Sequence, residues 1–386
     1  MKKKICVVVT ARPSYSRVRS VLEALRNHED VELQIVAAAS FVANKFGEAV
    51  KVLREDGFEP NWTINTLLEA DTASTAAKST GLQTIEMASA FQNLKPDMVL
   101  TVADRYETIS TAIAASYANI PLVHLQGGEV TGNIDEKVRH AITKMSDIHL
   151  VCNDDAYDRV LKLGENPDTV YNVGCPSIDI AKEVLDDRES WEQFTPFKKY
   201  VGVGSEIDVD SPYIVVMQHP VTTTIETSRD DILTTLHAVK EIGMPTIVMW
   251  PNPDSGTEGT AEGIRRFREL EQPENFYFFK NIRPGDFLRM LLKSKCLIGN
   301  SSVGIRECSF LGVPVVNIGT RQLDRKRGSN VIDVPCEQSL IADAVRKQIA
   351  HGPYPSEHTY GNGQSGKNAA EILCRVTPNT NKRITY

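Results

Sequence analysis

The feature that most constrains this chain is an alternation that runs almost from end to end: short β-branched runs, each followed by a stretch with helical spacing. In the first half, residues 5–9, 33–38, 98–102, 122–125, 148–152 and 170–173 read as strands. Amphipathic segments lie between them, such as 15–26, which puts Val18, Val21, Leu22 and Leu25 on one face. Strand and helix in alternation imply right-handed crossovers and a parallel sheet. Residues 181–210 interrupt the pattern. They are charged, contain Trp191 and Gly202-Val203-Gly204, and read as a linking helix and loop. The alternation then resumes, with strands expected at 213–218, 246–250, 276–279, 296–298 and 313–318 and helices at 230–242 and 337–349. A last helix is expected over 367–376. The expected fold class is α/β: two Rossmann-like, doubly wound domains facing each other across a cleft, a favoured place for a ligand. The expected boundaries are 1–182 and 183–366, with 367–386 packing back on the first domain.

At 386 residues the chain exceeds the usual size of a single core, in keeping with two domains. Its apolar residues come in short runs, so no membrane span is expected. Lys2 to Lys4 followed by Ile5 to Val9 is too short for a signal peptide and reads as a first strand of a cytoplasmic protein. The seven cysteines are scattered without a C-x-x-C pair, which argues for free thiols and against a disulfide framework or cysteine-held zinc. A net charge of −7 gives no general attraction to nucleic acid, so an anionic ligand must be held by local groups.

Those local groups cluster where strands end. Between Cys296 and Arg325 a short strand runs into Asn300, Ser301 and Ser302, and 303–311 has helical spacing. Hydroxyls on a strand-to-helix turn suit an anion such as phosphate, and equally suit a plain helix cap. Glu307, just over a turn further on, is placed to accept from ribose hydroxyls. Arg12 follows the first strand and offers a fork for phosphate, with Arg17 on the next turn; solvated arginines beside a Pro13-Ser14 helix start are the simpler alternative. His219 ends the first strand of the second half, where it can face a diphosphate. There is no G-x-G-x-x-G, so nicotinamide-dependent chemistry loses its main support.

Carboxylates gather on the other half. Asp104 follows the strand at 98–102, either as a helix cap or as a functional acid. Gln126-Gly127-Gly128-Glu129 ends the next strand, and Asp135 opens a helix with Arg139 four residues on, a spacing that in the simpler reading is a surface ion pair. Asp104, Glu129 and Asp135 converge on one sheet edge, and mutual repulsion there favours acid and base work. No metal-ligand spacing accompanies them, so metal-free proton transfer is expected.

These segments together resemble the hydrolysing UDP-N-acetylglucosamine 2-epimerase family, which includes bacterial sialic acid pathway enzymes and the epimerase half of a mammalian bifunctional epimerase/kinase. The resemblance rests on R-x-x-Y-S at Arg12, D-R at Asp104, GGEVTGNIDEKVRHAITK from Gly127, QHPVTT from Gln218, PN-x-D-x-G from Pro251, IGNSS from Ile298, GTRQ from Gly319 and YGNG from Tyr360. It implies the glycosyltransferase-B arrangement. It also implies a reaction in which UDP is eliminated across C1–C2 to give 2-acetamidoglucal and water then adds to release N-acetylmannosamine, for sialic acid or a related nonulosonate. Carried over, Asp104, Glu129 and Asp135 form the acid/base cluster. Arg12, Ser16, Arg17, His219, Ser301, Ser302, Glu307 and Arg321 hold the UDP-sugar. No cofactor and no metal are implied, and a homodimer or homotetramer is. Gln126 departs from members that carry a catalytic Glu there, and an amide cannot take a proton from carbon. In the mammalian relative, arginines on the helix after PN-x-D-x-G serve feedback inhibition, which puts Arg265 and Arg266 forward for that role. The alternatives are a 4-acetamido-6-deoxy UDP-sugar as substrate, a glycosyltransferase of the same architecture, a non-hydrolysing epimerase and a silent sugar-nucleotide sensor.

Overall fold

The computed structural model describes residues 2–44, 49–68, 73–131, 134–187, 194–221, 224–251 and 256–385. Trp191 of the linking stretch, and Gly132, Asn133, Thr222, Thr223 and positions 252–255 of the motifs above, lie outside these. The chain divides into two compact units. The first comprises Met1–Glu129, Ile134–Asp179 and Tyr360–Tyr386, and the second Val130–Asn133 and Ile180–Thr359.

The first unit is built on β1 (Lys3–Val9), β2 (Val31–Ala38), β3 (Trp62–Ile64), β4 (Met98–Val102), β5 (Leu122–Leu125), β6 (Ile148–Val151) and β7 (Val170–Asn172). They form one sheet in the order β3-β2-β1-β4-β5-β6-β7, every neighbour parallel. The connections are α1 (Arg12–Ser16), α2 (Arg19–Asn27), α3 (Val50–Glu55), α4 (Ala73–Leu94), α5 (Ile109–Tyr117), α6 (Ile134–Met145) and α7 (Asp154–Lys162), and α8 (Pro176–Asp186) leaves the sheet. Because helices cover both faces, the central strands are largely buried and read as continuous apolar runs. β4 is buried at all of its positions, for example.

In the second unit, β8 (Gly202–Gly204), β9 (Ile214–Met217), β10 (Thr246–Met249), β11 (Phe276–Phe279), β12 (Leu297–Gly299), β13 (Val315–Ile318) and β14 (Val331–Val334) lie in the order β14-β13-β12-β9-β10-β11-β8. Its helices are α9 (Pro196–Lys199), α10 (Ser228–Ile242), α11 (Thr257–Glu271), α12 (Pro284–Lys293), α13 (Ser302–Ile305), α14 (Glu307–Leu311) and α15 (Gln338–His351). The chain closes with α16 (Ser365–Arg375), whose Ala369, Ala370 and Leu373 are buried in the core of the first unit beside Leu22 and Leu25 of α2.

Several expectations need correction. Gly202-Val203-Gly204, read as part of a linking loop, is an antiparallel edge strand paired with β11. The strands β3 and β14 carry no sequence signal: one has three residues, and the other is only half-buried and interrupted by Asp333. The helix expected over 15–26 is two helices, because Val18 leaves helical geometry at φ −131° and drops fully into the core. The helix over 303–311 likewise breaks at Arg306, where φ is −100° and ψ −71°.

Candidate active site

In an open parallel sheet the chain reverses its direction of travel between two strands, and the gap at their C-terminal ends is the natural ligand site. Here the reversals fall between β1 and β4 and between β9 and β12. The candidate residues stand at both.

At the first reversal, Arg12 starts α1 after β1 and Asp104 follows β4. Arg12 is half-buried. Burial lowers its guanidinium from the ordinary value, with no acid acting to restore it, as a bound anion would. Ser16 donates to the Pro13 carbonyl at 2.9 Å. Arg17, expected to face an anion, lies 3.9 Å from Asp104 Oδ1. Asp104 is not a helix cap: Arg105 and Thr108 hold the cap positions that follow, and neither makes a side-chain cap bond.

Asp104 instead meets Arg139, the largest fully buried side chain of the described residues. One guanidinium nitrogen donates to Asp104 Oδ2. The other donates to the Glu129 carbonyl at 2.8 Å and to Glu136 Oε2 at 3.0 Å. The simpler reading of Arg139, a solvated surface charge, does not hold: its side chain is fully buried at the centre of a hub. Burial alone would depress its pKa, but Asp104, then Glu136 and Glu129, hold it above the ordinary arginine value. A cation at the centre lets several acids share one sheet edge without the full cost of repulsion.

Glu129 is 4% exposed, and its Oε1 accepts from Asn153 Nδ2 at 3.0 Å. Asp135 sits half-buried in the first turn of α6. Gln126 is buried, and its Nε2 donates to Cys175 Sγ at 3.1 Å. The Gly-Gly turn beside it has a packing cause, since a Cβ on Gly128, at φ +75°, would lie 2.3 Å from the Ala156 carbonyl oxygen of α7. Ala39, Ala103 and Gln126, the residues that follow β2, β4 and β5, all take left-handed backbone at φ 51°, 60° and 68°. Such strain in non-glycine residues concentrates at functional sites. His124 supports this edge from beneath: fully buried, it donates from Nε2 to the Ala103 carbonyl at 2.8 Å and meets Thr143 Oγ1 at 3.0 Å through Nδ1.

At the second reversal, β9 and β12 approach so closely that a Cβ on Gly299, at φ +138°, would lie 2.1 Å from the Met217 carbonyl oxygen. Asn300 fixes His219 reciprocally: its Oδ1 accepts from the His219 N–H at 2.8 Å and its Nδ2 donates to the His219 carbonyl at 2.9 Å. The Asn300 carbonyl accepts from Arg321 at 3.2 Å and from Gln322 Nε2 at 2.9 Å, bringing the GTRQ loop to the same place. Ser301 caps α13, accepting from the Val303 N–H at 3.4 Å. Arg306 donates to Ser302 Oγ at 2.9 Å, which leaves the hydroxyl proton for another acceptor. Glu307 is 6% exposed and its Oε2 is buried without a hydrogen-bond partner, 3.8 Å from Arg306 Nε. With the helix broken at Arg306, the leading segment has only four residues and little macrodipole, so anion binding here falls to side chains.

Away from these edges, Arg266 lines a groove of about 330 Å³ with Arg229, Leu233, His237 and Leu270, whereas Arg265 pairs with Glu258 at 2.5 Å. Asn153 and Arg306 were not singled out in the sequence, Gln322 entered only within the GTRQ motif, and Arg139 entered only by its spacing from Asp135, which gave no hint of burial. Among the described residues no group of three or more His, Cys, Asp or Glu could hold a metal ion, and no helix is long and apolar enough to cross a membrane.

Comparison with known proteins fits this arrangement. The family model for UDP-N-acetylglucosamine 2-epimerase matches residues 23–374. The chain is 30% identical over 373 residues to the UDP-N,N'-diacetylbacillosamine 2-epimerase (hydrolyzing) of Legionella pneumophila, covering 97% of this chain and 96% of that protein. It is 28% identical over 380 residues to the UDP-N-acetylglucosamine 2-epimerase of Neisseria meningitidis serogroup B, covering 98% and 96%. Among solved structures, the Neisseria meningitidis UDP-GlcNAc 2-epimerase bound to UDP-GlcNAc superposes with a TM-score of 0.79 at 18% identity, covering 97% of this chain and all of that one, and so shares the fold. That fold is the pair of doubly wound, glycosyltransferase-B-like units expected from the sequence. A family match over nearly the whole length, a shared fold, and motifs that converge on the two sheet reversals lead to one conclusion: the chain belongs to the UDP-N-acetylglucosamine 2-epimerase family.

Proposed function

We propose that this chain is a hydrolysing 2-epimerase that converts UDP-N-acetylglucosamine and water into N-acetylmannosamine and UDP, in sialic acid or related nonulosonate synthesis. The observation that carries the reading is the buried Arg139 hub, which gathers Asp104 and the Glu129 backbone at the edge of the first sheet. A nucleotide-sugar transferase has no evident need for it.

In this reading the C1–O bond to UDP breaks as the C2 proton leaves, giving 2-acetamidoglucal and UDP. Water then returns a proton to C2 from the opposite face and a hydroxyl to C1. Asp104 is engaged by two guanidinium groups. Glu129, hydrogen-bonded by the neutral amide of Asn153, takes the part that Gln126 cannot. Asp135 relays protons on the sugar. Arg12, Ser16, Arg17, His219, Ser301, Ser302 and Arg321 hold the diphosphate, where positive groups and hydroxyl donors favour the charge that develops on departure. The Glu307 carboxylate, with one oxygen that has no hydrogen-bond partner, accepts from the ribose hydroxyls.

A second reading keeps the chemistry and changes the sugar to a 4-acetamido-6-deoxy analogue. Two relatives favour it: the Legionella protein and, at 32% identity over 334 residues, the GDP/UDP-N,N'-diacetylbacillosamine 2-epimerase (hydrolyzing) of Campylobacter jejuni. NMR of products formed in deuterated water separates the possibilities. Free N-acetylmannosamine with deuterium at C2 is expected from UDP-N-acetylglucosamine. UDP-N-acetylmannosamine instead would make the enzyme non-hydrolysing, and turnover of the 4-acetamido-6-deoxy substrate alone would establish the second reading.

A further inference from the structure

The first unit contains a charged cluster away from the strand ends where the acids gather, and the proposed chemistry does not use it. Glu165, 3% exposed, receives Lys144 Nζ at 2.6 Å on one oxygen, and His149 Nε2 at 3.0 Å and Lys382 Nζ at 2.5 Å on the other. Lys382 comes from the chain's end, beyond α16. Its ammonium also donates to the Thr143 carbonyl at 3.2 Å and to the Ser146 carbonyl. Three residues on, the Thr385 N–H donates to the Gly164 carbonyl at 3.2 Å and its hydroxyl to the Glu165 carbonyl at 3.0 Å. Residues 379–385 thus lie as a strap tied at two points.

The carbonyls that Lys382 engages belong to Thr143, in the last turn of α6, and to Ser146, just past it, where the helix dipole makes a cation favourable. Thr143 then connects the strap to the acids. Its hydroxyl donates to the Arg139 carbonyl at 3.0 Å and lies 3.0 Å from His124 Nδ1, while His124 Nε2 holds the carbonyl of Ala103, the residue before Asp104. Strap, last turn of α6, Arg139 and Asp104 therefore form one unbroken run of hydrogen bonds.

We infer that Lys382 is a positioning residue: by fixing the last turn of α6 it keeps the Arg139 guanidinium on Asp104. This rests on the proton-transfer role proposed above, and two readouts separate the claims. In Lys382→Met, kcat is expected to fall about ten-fold with KM within two-fold, while Lys382→Arg, which keeps the cation, stays within about three-fold of the parent. Hydrogen exchange of α6 amides is expected to quicken about ten-fold in Lys382→Met with α10 unchanged, and this needs no substrate. Unchanged exchange in α6, or equal loss of kcat in both variants, would overturn the inference. Should Lys382→Met not fold, Thr385→Val, which loosens the second tie, is expected to quicken α6 exchange in the same direction, and no change there would overturn it too. If the parent releases no free sugar while the exchange result holds, the proposed reaction fails and the strap's hold on α6 stands.

Discussion

At the scale of single residues, Arg139 and His124 do what neither a surface arginine nor a catalytic histidine does. The Arg139 charge is desolvated and used by three neighbours, so removing it takes a buried, hydrogen-bonded counter-ion from Asp104 and Glu136. Arg139→Met is expected to cost about 3–5 kcal/mol of folding stability, read by denaturant unfolding. A loss below about 1 kcal/mol would mean that the acids find other partners. His124 is held neutral, since full burial pushes its pKa down from 6.5 to about 3. Below pH 6.5 the unfolded chain takes up a proton there that the native chain refuses. Its contribution to stability is therefore present above pH 6.5 and is lost at about 1.4 kcal/mol per pH unit as pH falls toward 3. Stability measured against pH for the parent and for His124→Asn checks this: the gap between them is expected to narrow as pH drops through that window.

At the scale of elements, the termini of the first unit are stitched by α16. Lys3 Nζ donates to the carbonyls of Leu373, Cys374 and Val376 at 2.9, 3.1 and 2.9 Å, capping the helix from the first strand. At its other end the Asp179 carboxylate accepts from the N–H groups of Ser365 and Gly366 at 2.9 and 2.7 Å. Both ends of the last helix are thus satisfied by residues distant in sequence, and its apolar face completes the core under β1. Leu373, fully buried, is expected to lose about 2–5 kcal/mol on truncation to alanine. A thermal shift of less than a degree or two would show that α16 is an accessory. The YGNG motif that precedes this helix is tied to the same unit, its Tyr360 carbonyl accepting from the Cys175 N–H at 2.7 Å.

At the scale of the whole molecule, the proposed function assigns proton transfer to the first unit and nucleotide binding mainly to the second, and kinetics can separate the two. Ser302→Ala and Arg321→Ala are expected to raise KM about ten-fold with little change in kcat, whereas Asp104→Asn and Glu129→Gln lower kcat about 10²–10³-fold with little change in KM. Full activity in the acid variants would remove the assignment. Two parallel sheets, most strand positions and the strand ends at which Asp104, Glu129, His219 and Ser301 stand were legible in the sequence, because backbone hydrogen bonding and burial impose periods that apolar residues must follow. The edge strand at Gly202, the breaks at Val18 and Arg306, the left-handed residues after three strands and the burial of Arg139 were not. Each depends on which segments meet in space: an arginine on α6 reads as a solvated charge until β4 and β5 bring Asp104 and the Glu129 carbonyl to its tip. The sequence by itself determined which elements form and which residues end them. Tertiary structure alone decided which charges leave water together, since desolvation and pairing depend on distances that chain spacing does not contain.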